Sequence, residues 1–201
     1  MSLPGIGQAE MLAEQFEALL TAHTPSSVAI IGCAGGNGLE RISPALCKRI
    51  VGIDINPLYI AQAAKRFAKT LPGLELYTLD IEQPGLALPF EPVELVYAAL
   101  IFEYVDLATT FENIRNMGKP DAVLATILQL PSASLATISP SPFSSLQALA
   151  PAMRLVHPGE LQAQATQAGF ELLSSRRLTL PSRKEFTLQT FRFPTAAPSA
   201  R

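Results

Sequence analysis

Short apolar runs alternate along the chain with segments that carry apolar residues at helical spacing. The apolar runs predict strands at residues 28–32, 49–55, 74–79, 93–98 and 122–130. The helical spacing predicts helices at about residues 8–22, 38–47, 56–69 and 102–117. Because strands and helices alternate, the sequence predicts a parallel sheet with helices on both faces.

The composition changes after the fifth predicted strand. Residues 131–158 are rich in Ser, Ala and Pro and predict an insertion with one short helix at 144–150. Ligands of open α/β sheets bind outside the carboxyl ends of the strands, so this insertion is placed to act as a lid, although a loop without function fits equally well. Beyond it, the pattern predicts a helix at 159–168 and two strands, 170–180 and 185–193, joined as a hairpin.

Length and composition favour one domain. The chain has 201 residues, of which 48% are hydrophobic, and a mean hydropathy of +0.26, which suffices for one substantial core. We divide it into an N-terminal helix (1–24), a nucleotide-binding core (28–130), the lid-like insertion (131–158), and a C-terminal helix and hairpin (159–193).

The charge balance argues against nucleic acid as a partner. Lys and Arg total 15 against 17 Asp and Glu, which leaves no excess of positive charge for a phosphate backbone. The longest apolar runs are about ten residues, whereas a membrane span needs roughly 20. No Lys or Arg precedes an apolar segment at the N-terminus, so we expect a cytoplasmic protein. Cys33 and Cys47 are predicted to be free thiols, and no metal site is expected.

The glycines after the first strand are the strongest indication of function. In VAIIGCAGGNGLE (residues 28–40), an apolar strand runs into Gly32, Gly35, Gly36 and Gly38 before a helix is predicted to begin. A strand, a Gly-rich turn and a helix in that order build a nucleotide pocket, where a ligand lies against bare backbone. Asp54 closes the second strand about 20 residues further on, where a carboxylate accepts hydrogen bonds from ribose hydroxyls.

This plan resembles that of the class I S-adenosylmethionine (SAM)-dependent methyltransferases, over residues 28–193. The motifs that carry the resemblance are VAIIGCAGGNG, Asp54 in VGIDIN, Asp80 in LYTLDIEQP and the strand ELVYAALIFEYVD. It implies a three-layer αβα sandwich around a seven-stranded sheet of order 3-2-1-4-5-7-6, mostly parallel, whose last strand is antiparallel and arrives through the hairpin.

The resemblance also implies a cofactor, SAM, and its product S-adenosylhomocysteine (SAH). By this analogy the glycine turn holds the methionine part, Asp54 the ribose, and Asp80 the adenine amine. Ile55 would lie against the adenine face. The cofactor-binding residues that it implies are Gly32, Cys33, Ala34, Gly35, Gly36, Gly38, Asp54, Ile55, Asp80, Ile81, Ala98 and Ala99.

Two positions depart from the family pattern. Ile30 stands where the family usually has an acidic residue, and Ala34 stands where it often has glycine. An acid at the first position helps to organise the turn and the cofactor's amino group. Without it, the affinity for SAM falls or that role passes to the backbone.

Two alternatives compete with this interpretation. Gly32, Gly36 and Gly38 also fit the GxxxGxG pattern of short-chain dehydrogenases, in which Asp54 would bind the ribose of NAD. Such enzymes usually need a Tyr with a Lys four residues later, and none of the four tyrosines has one. The other alternative is a catalytically silent SAM-binding domain, which Ile30 favours.

Methyl transfer needs few catalytic side chains, because the sulfonium of SAM already activates the methyl group for in-line SN2 displacement. Glu103, just beyond the fourth strand, is the first candidate to contact the acceptor, and Tyr104 the second. Glu103 would otherwise be an ordinary polar residue in a helix's first turn. No NPPY-like tetrapeptide follows the fourth strand, so we expect a small-molecule acceptor. An apolar pocket for it would be formed by Phe102, Tyr104, Phe143, Leu146, Leu149 and Met153.

Overall fold

A computed structural model describes residues 6–131 and 154–195. Its α-helices are α1 (Ile6–His23), α2 (Pro57–Phe67), α3 (Leu107–Arg115) and α4 (Pro158–Gln167). Its strands are β1 (Ser27–Ile31), β2 (Arg49–Asp54), β3 (Leu74–Thr78), β4 (Val93–Ala99), β5 (Gly118–Gln129), β6 (Glu171–Thr179) and β7 (Glu185–Arg192).

The strands form one seven-stranded sheet in the order β3-β2-β1-β4-β5-β7-β6, which confirms the predicted topology. Strands β1 to β5 are parallel, whereas β7 runs antiparallel to both β5 and β6. The carboxyl ends of β1 to β5 therefore meet at one edge of the sheet, and β7 begins at that same edge. We call it the carboxyl edge, and the opposite one the amino edge.

Apolar side chains cover both faces of the sheet, so the predicted three layers are confirmed. One buried cluster joins the sheet to α3 and α4 through Phe111 and Leu161. The other joins it to α1 and α2 through Phe16 and Phe67. Strands buried on both faces explain why the sequence shows continuous apolar runs rather than alternation.

Helix α1 lies across the middle of the sheet and not along its edge. The Tyr97 hydroxyl, on the central strand β4, donates to the Leu12 carbonyl at 3.0 Å. The Phe16 ring lies 4.8 Å from that of Tyr97, centroid to centroid.

The helix predicted at residues 38–47 is wrong. The structure has a single 3₁₀ turn there, Leu39–Arg41, after which the backbone of Ile42 is extended. Pro44 explains the difference, because it lacks an N–H group and disfavours helical geometry at Ser43 before it. The amides of Leu46 and Cys47 donate to the Ser43 carbonyl in a turn of their own.

The helix predicted at residues 102–117 begins later than expected. Asp106 caps α3, and its side chain accepts a hydrogen bond from the Thr109 amide at 2.9 Å. An aspartate is among the strongest helix caps, so the helix begins directly after it. Glu103 and Tyr104 therefore lie in a turn between β4 and α3 and not on the helix.

The C-terminal hairpin is confirmed. Strands β6 and β7 are joined through Pro181 to Lys184, where the Leu180 amide donates to the Lys184 carbonyl at 2.9 Å. Most of the predicted insertion, including its helix at 144–150, lies outside the described residues. Within the described ranges, no helix is long and apolar enough to cross a membrane.

Candidate functional site

The glycine turn and Asp54 meet at the carboxyl edge. The Gly32 and Cys33 amides donate to the Ile53 carbonyl at 2.8 and 3.0 Å, which fixes the start of the turn against β2. The Asp54 carboxylate then accepts from the Ala34 amide at 2.9 Å and from the Asn56 amide at 2.9 Å. The residues predicted to hold the methionine part and the ribose are thus adjacent.

The turn uses left-handed backbone at the positions where glycine allows it. Gly32, Gly36 and Gly38 have φ values of +69°, +86° and +89°. Ala34 is also left-handed, at +46°, which explains why glycine is common there in the family. This geometry costs a non-glycine residue about 1 kcal/mol, and the hydrogen bond to Asp54 holds Ala34 in it.

Close packing of α2 is a second reason for the glycines, and sequence reasoning missed it. A Cβ atom on Gly35 would lie 2.6 Å from the Gln62 Oε1 atom. One on Gly36 would lie 2.6 Å from the Phe67 ring. The side chain of Arg66 donates to the Gly35 carbonyl as well. These glycines therefore let α2 approach the turn.

Ile30 and Cys33 both contribute packing. Ile30 is 4% exposed within the cluster beneath α1, so this chain has no place there for the family's acid. Burial and the nearby Asp54 charge raise the pKa of Cys33 to about 12, so its thiol stays neutral. The Asp54 carboxylate holds the turn through its hydrogen bond with the Ala34 amide.

Exposed apolar side chains follow Asp54. Ile55 is 66% exposed and Leu58 is 75% exposed, although both are large and apolar. Two such side chains beside a carboxylate are suited to cover one face of a flat ring. Ile55 was predicted from the sequence and Leu58 was not. The available signal was its place in the first turn of α2, directly after the Asn56-Pro57 helix start.

Asp80 follows β3, and β3 pairs with β2, the strand that ends at Asp54. The Leu79 amide donates to the Asp54 carbonyl at 3.1 Å, which ties the two strand ends together. Asp80 is exposed, and its Oδ1 accepts from the Glu82 amide at 2.9 Å. The Ile81 side chain is buried in the core, so only its backbone is available to a ligand.

The chain bends back over the glycine turn after β4. Ala98 lies inside the sheet, opposite Ile31 of β1, and Ala99 ends the strand. Leu100 has a φ of +56°, and the Ile101 side chain then comes within 3.5 Å of where a Gly32 Cβ would be. The predicted contacts of Ala98 and Ala99 with the cofactor stay predictions.

Glu103 is not the ordinary first-turn residue that the alternative interpretation predicted. Its side chain is 1% exposed, and Oε1 accepts from the Gln129 amide at 2.8 Å. Oε2 is buried and has no hydrogen-bond partner among the described residues. Burial raises the pKa of Glu103 to about 7, against a smaller lowering by the Gln129 amide. A buried polar atom without a partner costs about 1–3 kcal/mol, so this oxygen needs an explanation.

The other residues predicted around the acceptor have different environments. Tyr104 is half-buried, and burial together with the charge of Glu103 raises its pKa. Phe102 is fully buried and stacks on Phe111 at 5.2 Å, so its predicted place in an acceptor pocket is wrong. The remaining predicted pocket residues, Phe143, Leu146, Leu149 and Met153, lie outside the described part of the chain.

Part of the chain matches a known family model. Residues 30–126, just under half of the chain, match the family model described as "Methyltransferase domain". The match runs from β1 into β5 and includes the glycine turn, Asp54 and Asp80. A search of curated proteins found no match.

Solved structures share the fold at low sequence identity. The N-methyltransferase NodS from Bradyrhizobium japonicum WM9, in complex with SAH, is 19% identical with a TM-score of 0.71, over 96% of this chain and 89% of that one. A SAM-dependent methyltransferase from Mesorhizobium loti is 16% identical with a TM-score of 0.68, over 92% and 99%. The [4+2]-cyclase SpnF is 14% identical with a TM-score of 0.68, over 91% and 82%. At these identities the structures show the fold alone.

The family match, unlike the fold, separates the competing interpretations. The matched residues include the first strand and the glycine turn, which a dehydrogenase could also have, and their family model describes a methyltransferase domain. Nothing in these comparisons supports the oxidoreductase alternative. Residues 30–126 therefore match a methyltransferase domain, and the chain shares its fold with SAM-dependent methyltransferases.

Proposed function

We propose that the protein transfers the methyl group of SAM to a small-molecule acceptor by in-line SN2 displacement at the carboxyl edge. The observation that carries the proposal is the pair of hydrogen bonds that Asp54 accepts from Ala34 and Asn56. These bonds bring the turn and the ribose-binding carboxylate together in one site.

The exposed groups of this site suit the parts of SAM. A carboxylate has about four lone-pair positions, so Asp54 keeps capacity for ribose hydroxyls after accepting two amides. Ile55 and Leu58 offer apolar cover for adenine, and exposed Asp80 offers an acceptor for its amine. The glycine turn supplies backbone for the methionine part.

SAM supplies a methyl group that its positively charged sulfur has already activated. The chain must bind the acceptor, align its nucleophilic atom with the bond to be broken, and exclude water. The bend at Leu100 and Ile101 suits the last two tasks, because it places an apolar side chain over Gly32.

Charge supports a small acceptor. The net charge is −2 with balanced acidic and basic residues, which gives a nucleic acid no electrostatic attraction. The cytoplasmic location stays a prediction.

Calorimetry with SAM, SAH and NAD tests the proposed function. We expect the wild-type protein to bind SAM and SAH but not NAD. The D54N variant should bind SAH roughly ten- to hundredfold more weakly, about 1.5–3 kcal/mol, because a charged acceptor becomes neutral.

The D121N variant is the matched control. Asp121 is exposed at the amino edge and has a φ of +61°, which asparagine tolerates, so this variant should bind SAH like the wild type. Thermal unfolding of D54N checks that the turn persists. Saturable binding of NAD to the wild-type protein would contradict the proposal.

A further inference from the structure

Glu103 lies at the carboxyl edge of the sheet, on the turn that follows β4. Two residues before it, Ile101 covers Gly32 of the glycine turn. Two residues of chain span at most about 7 Å, so Glu103 stays close to that turn. Its Oε1 atom binds the amide of Gln129, which ends β5. The carboxyl group thus lies beside the end of β5, on the turn that follows β4.

The second oxygen of this carboxyl group indicates a ligand. Oε2 is buried and lacks a partner among the described residues. As a carboxylate it would need a donor, and as a carboxylic acid its O–H group would need an acceptor. Neither protonation state is satisfied, so the missing partner is external to the described chain. Tyr104 and Val105, on the same turn, are partly exposed, so this turn reaches the surface.

Charge selects the kind of ligand. The other titratable side chains nearby in the fold are Tyr104 on the same turn, Asp106 ahead of α3, Arg154 after β5, and Lys184 and Glu185 at the start of β7. The Arg154 amide donates to the Glu103 carbonyl, but its guanidinium pairs with Glu160 at 2.7 Å. Neither Arg154 nor Lys184 is among the groups that shift the pKa of Glu103.

The Glu103 carboxylate lacks a hydrogen-bond donor for Oε2 and a positive charge to pair with. A ligand that supplies both carries positive charge and N–H donors. Resting on the proposed function, we propose that the methyl acceptor is a primary or secondary amine whose ammonium group binds Oε2 of Glu103, and that Glu103 removes one of its protons before methyl transfer. Glu103 is then a catalytic residue that contacts the substrate.

The proton and electrons balance in this step. The ammonium N–H bond breaks and its proton goes to the Glu103 carboxylate, which leaves a neutral amine with a free lone pair. That lone pair forms the new N–CH₃ bond while the C–S bond breaks and its electrons go to sulfur, giving a methylated ammonium and SAH. Glu103 then releases its proton to water. A pKa of about 7 lets the same group take up and release a proton near neutral pH.

Sinefungin tests this inference without knowledge of the natural acceptor. It is an analogue of SAM in which a carbon bearing an amine replaces the methylated sulfur, so its ammonium occupies the place where methyl and acceptor meet. Calorimetry compares sinefungin with SAH on the wild-type protein, on E103Q, and on E112Q as a control. Glu112 is an exposed residue of α3, and Gln at position 103 can still accept the Gln129 amide.

We expect wild type and E112Q to bind sinefungin roughly tenfold or more tightly than SAH at pH 8, as for a charge-assisted hydrogen bond. The preference should fall toward one at pH 5.5, where Glu103 is protonated. E103Q should bind SAH as the wild type does and show no preference at either pH.

Three results would overturn the inference. They are a preference of equal size in E103Q and wild type, no preference in the wild type at pH 8, and a preference that does not change with pH. Each of them, with SAH binding intact, leaves the proposed function standing. Failure of the wild-type protein to bind SAH would instead overturn the proposed function, and the inference with it.

Discussion

Two glutamates at opposite ends of β4 have opposite environments. Glu94, at the amino edge, accepts from the Ser26 amide at 2.7 Å, from the Ser26 hydroxyl at 2.9 Å and from Lys119 Nζ at 2.9 Å. The bond from Lys119, followed by those from Ser26, lowers the pKa of Glu94 to about 2. Glu103, beyond the carboxyl edge, has one partner for two oxygens, and burial raises its pKa to about 7.

This difference separates an edge of the sheet whose charges stabilise the fold from an edge that is suited to bind a ligand. At the amino edge Glu94 pairs with Lys119 at 2.9 Å, and Arg49 pairs with Glu75 at 2.7 Å. At the carboxyl edge the chain exposes Ile55 and Leu58 and buries an unpaired oxygen of Glu103. Each of these costs free energy in the unliganded protein, and such local costs are typical of binding and catalytic sites.

The largest expected effect is a gain of stability on neutralising Glu103. A raised folded-state pKa means that the native state keeps a proton after the unfolded state has lost it. Stability is therefore fully present below about pH 4.5 and is lost as the pH rises to about 7. At pH 8, E103Q should be more stable than the wild type by on the order of 3 kcal/mol, although this substitution removes the proposed catalytic base.

Urea unfolding at pH 8 and pH 4.5 measures this difference. The gain should almost disappear at pH 4.5, where Glu103 is protonated in the native state and about half protonated in the unfolded state, and E112Q should match the wild type at both values. A loss of stability in E103Q at pH 8 would show that both carboxylate oxygens have partners, and it would contradict this account.

Neutralising Glu94 should destabilise the protein, and by less than E103Q stabilises it. Its lowered pKa contributes stability above about pH 4.5 that is lost as the pH falls toward 2. The side chain is 38% exposed, so solvent screens the pair and E94Q should cost only about 1 kcal/mol or less at pH 7. Urea unfolding of E94Q should converge with the wild type near pH 2. An equal loss at both pH values would contradict an electrostatic role.

The sequence was sufficient for the sheet because its signals are local and repeated. Apolar runs buried on both faces marked the strands, and their alternation with helices indicated the parallel order. The resemblance to a known family added the antiparallel end. Asp54 could be found from its place after β2, and the structure places it against the turn.

The remaining features depend on contacts between distant residues. The effect of Pro44 on the helix predicted at 38–47 was readable but overlooked. The contact of Gly36 with Phe67 and the burial of Glu103 beside Gln129 join residues far apart in the chain, so no local pattern reveals them. The position of Glu103 after the fourth strand made it a candidate from the sequence. Only the folded structure shows that one of its oxygens lacks a partner among the described residues.

Amide NMR of the isotopically labelled protein titrated with SAH tests the central claim most directly, because it reports both edges of the sheet at once. The account predicts saturable shifts for the amides of Gly32, Ala34, Ile55 and Ile81, which lie at the carboxyl edge. The amide of Glu94, at the amino edge, should stay unchanged. Shifts confined to the amino edge, or no saturable shifts at all, would contradict a cofactor site formed by the glycine turn and Asp54.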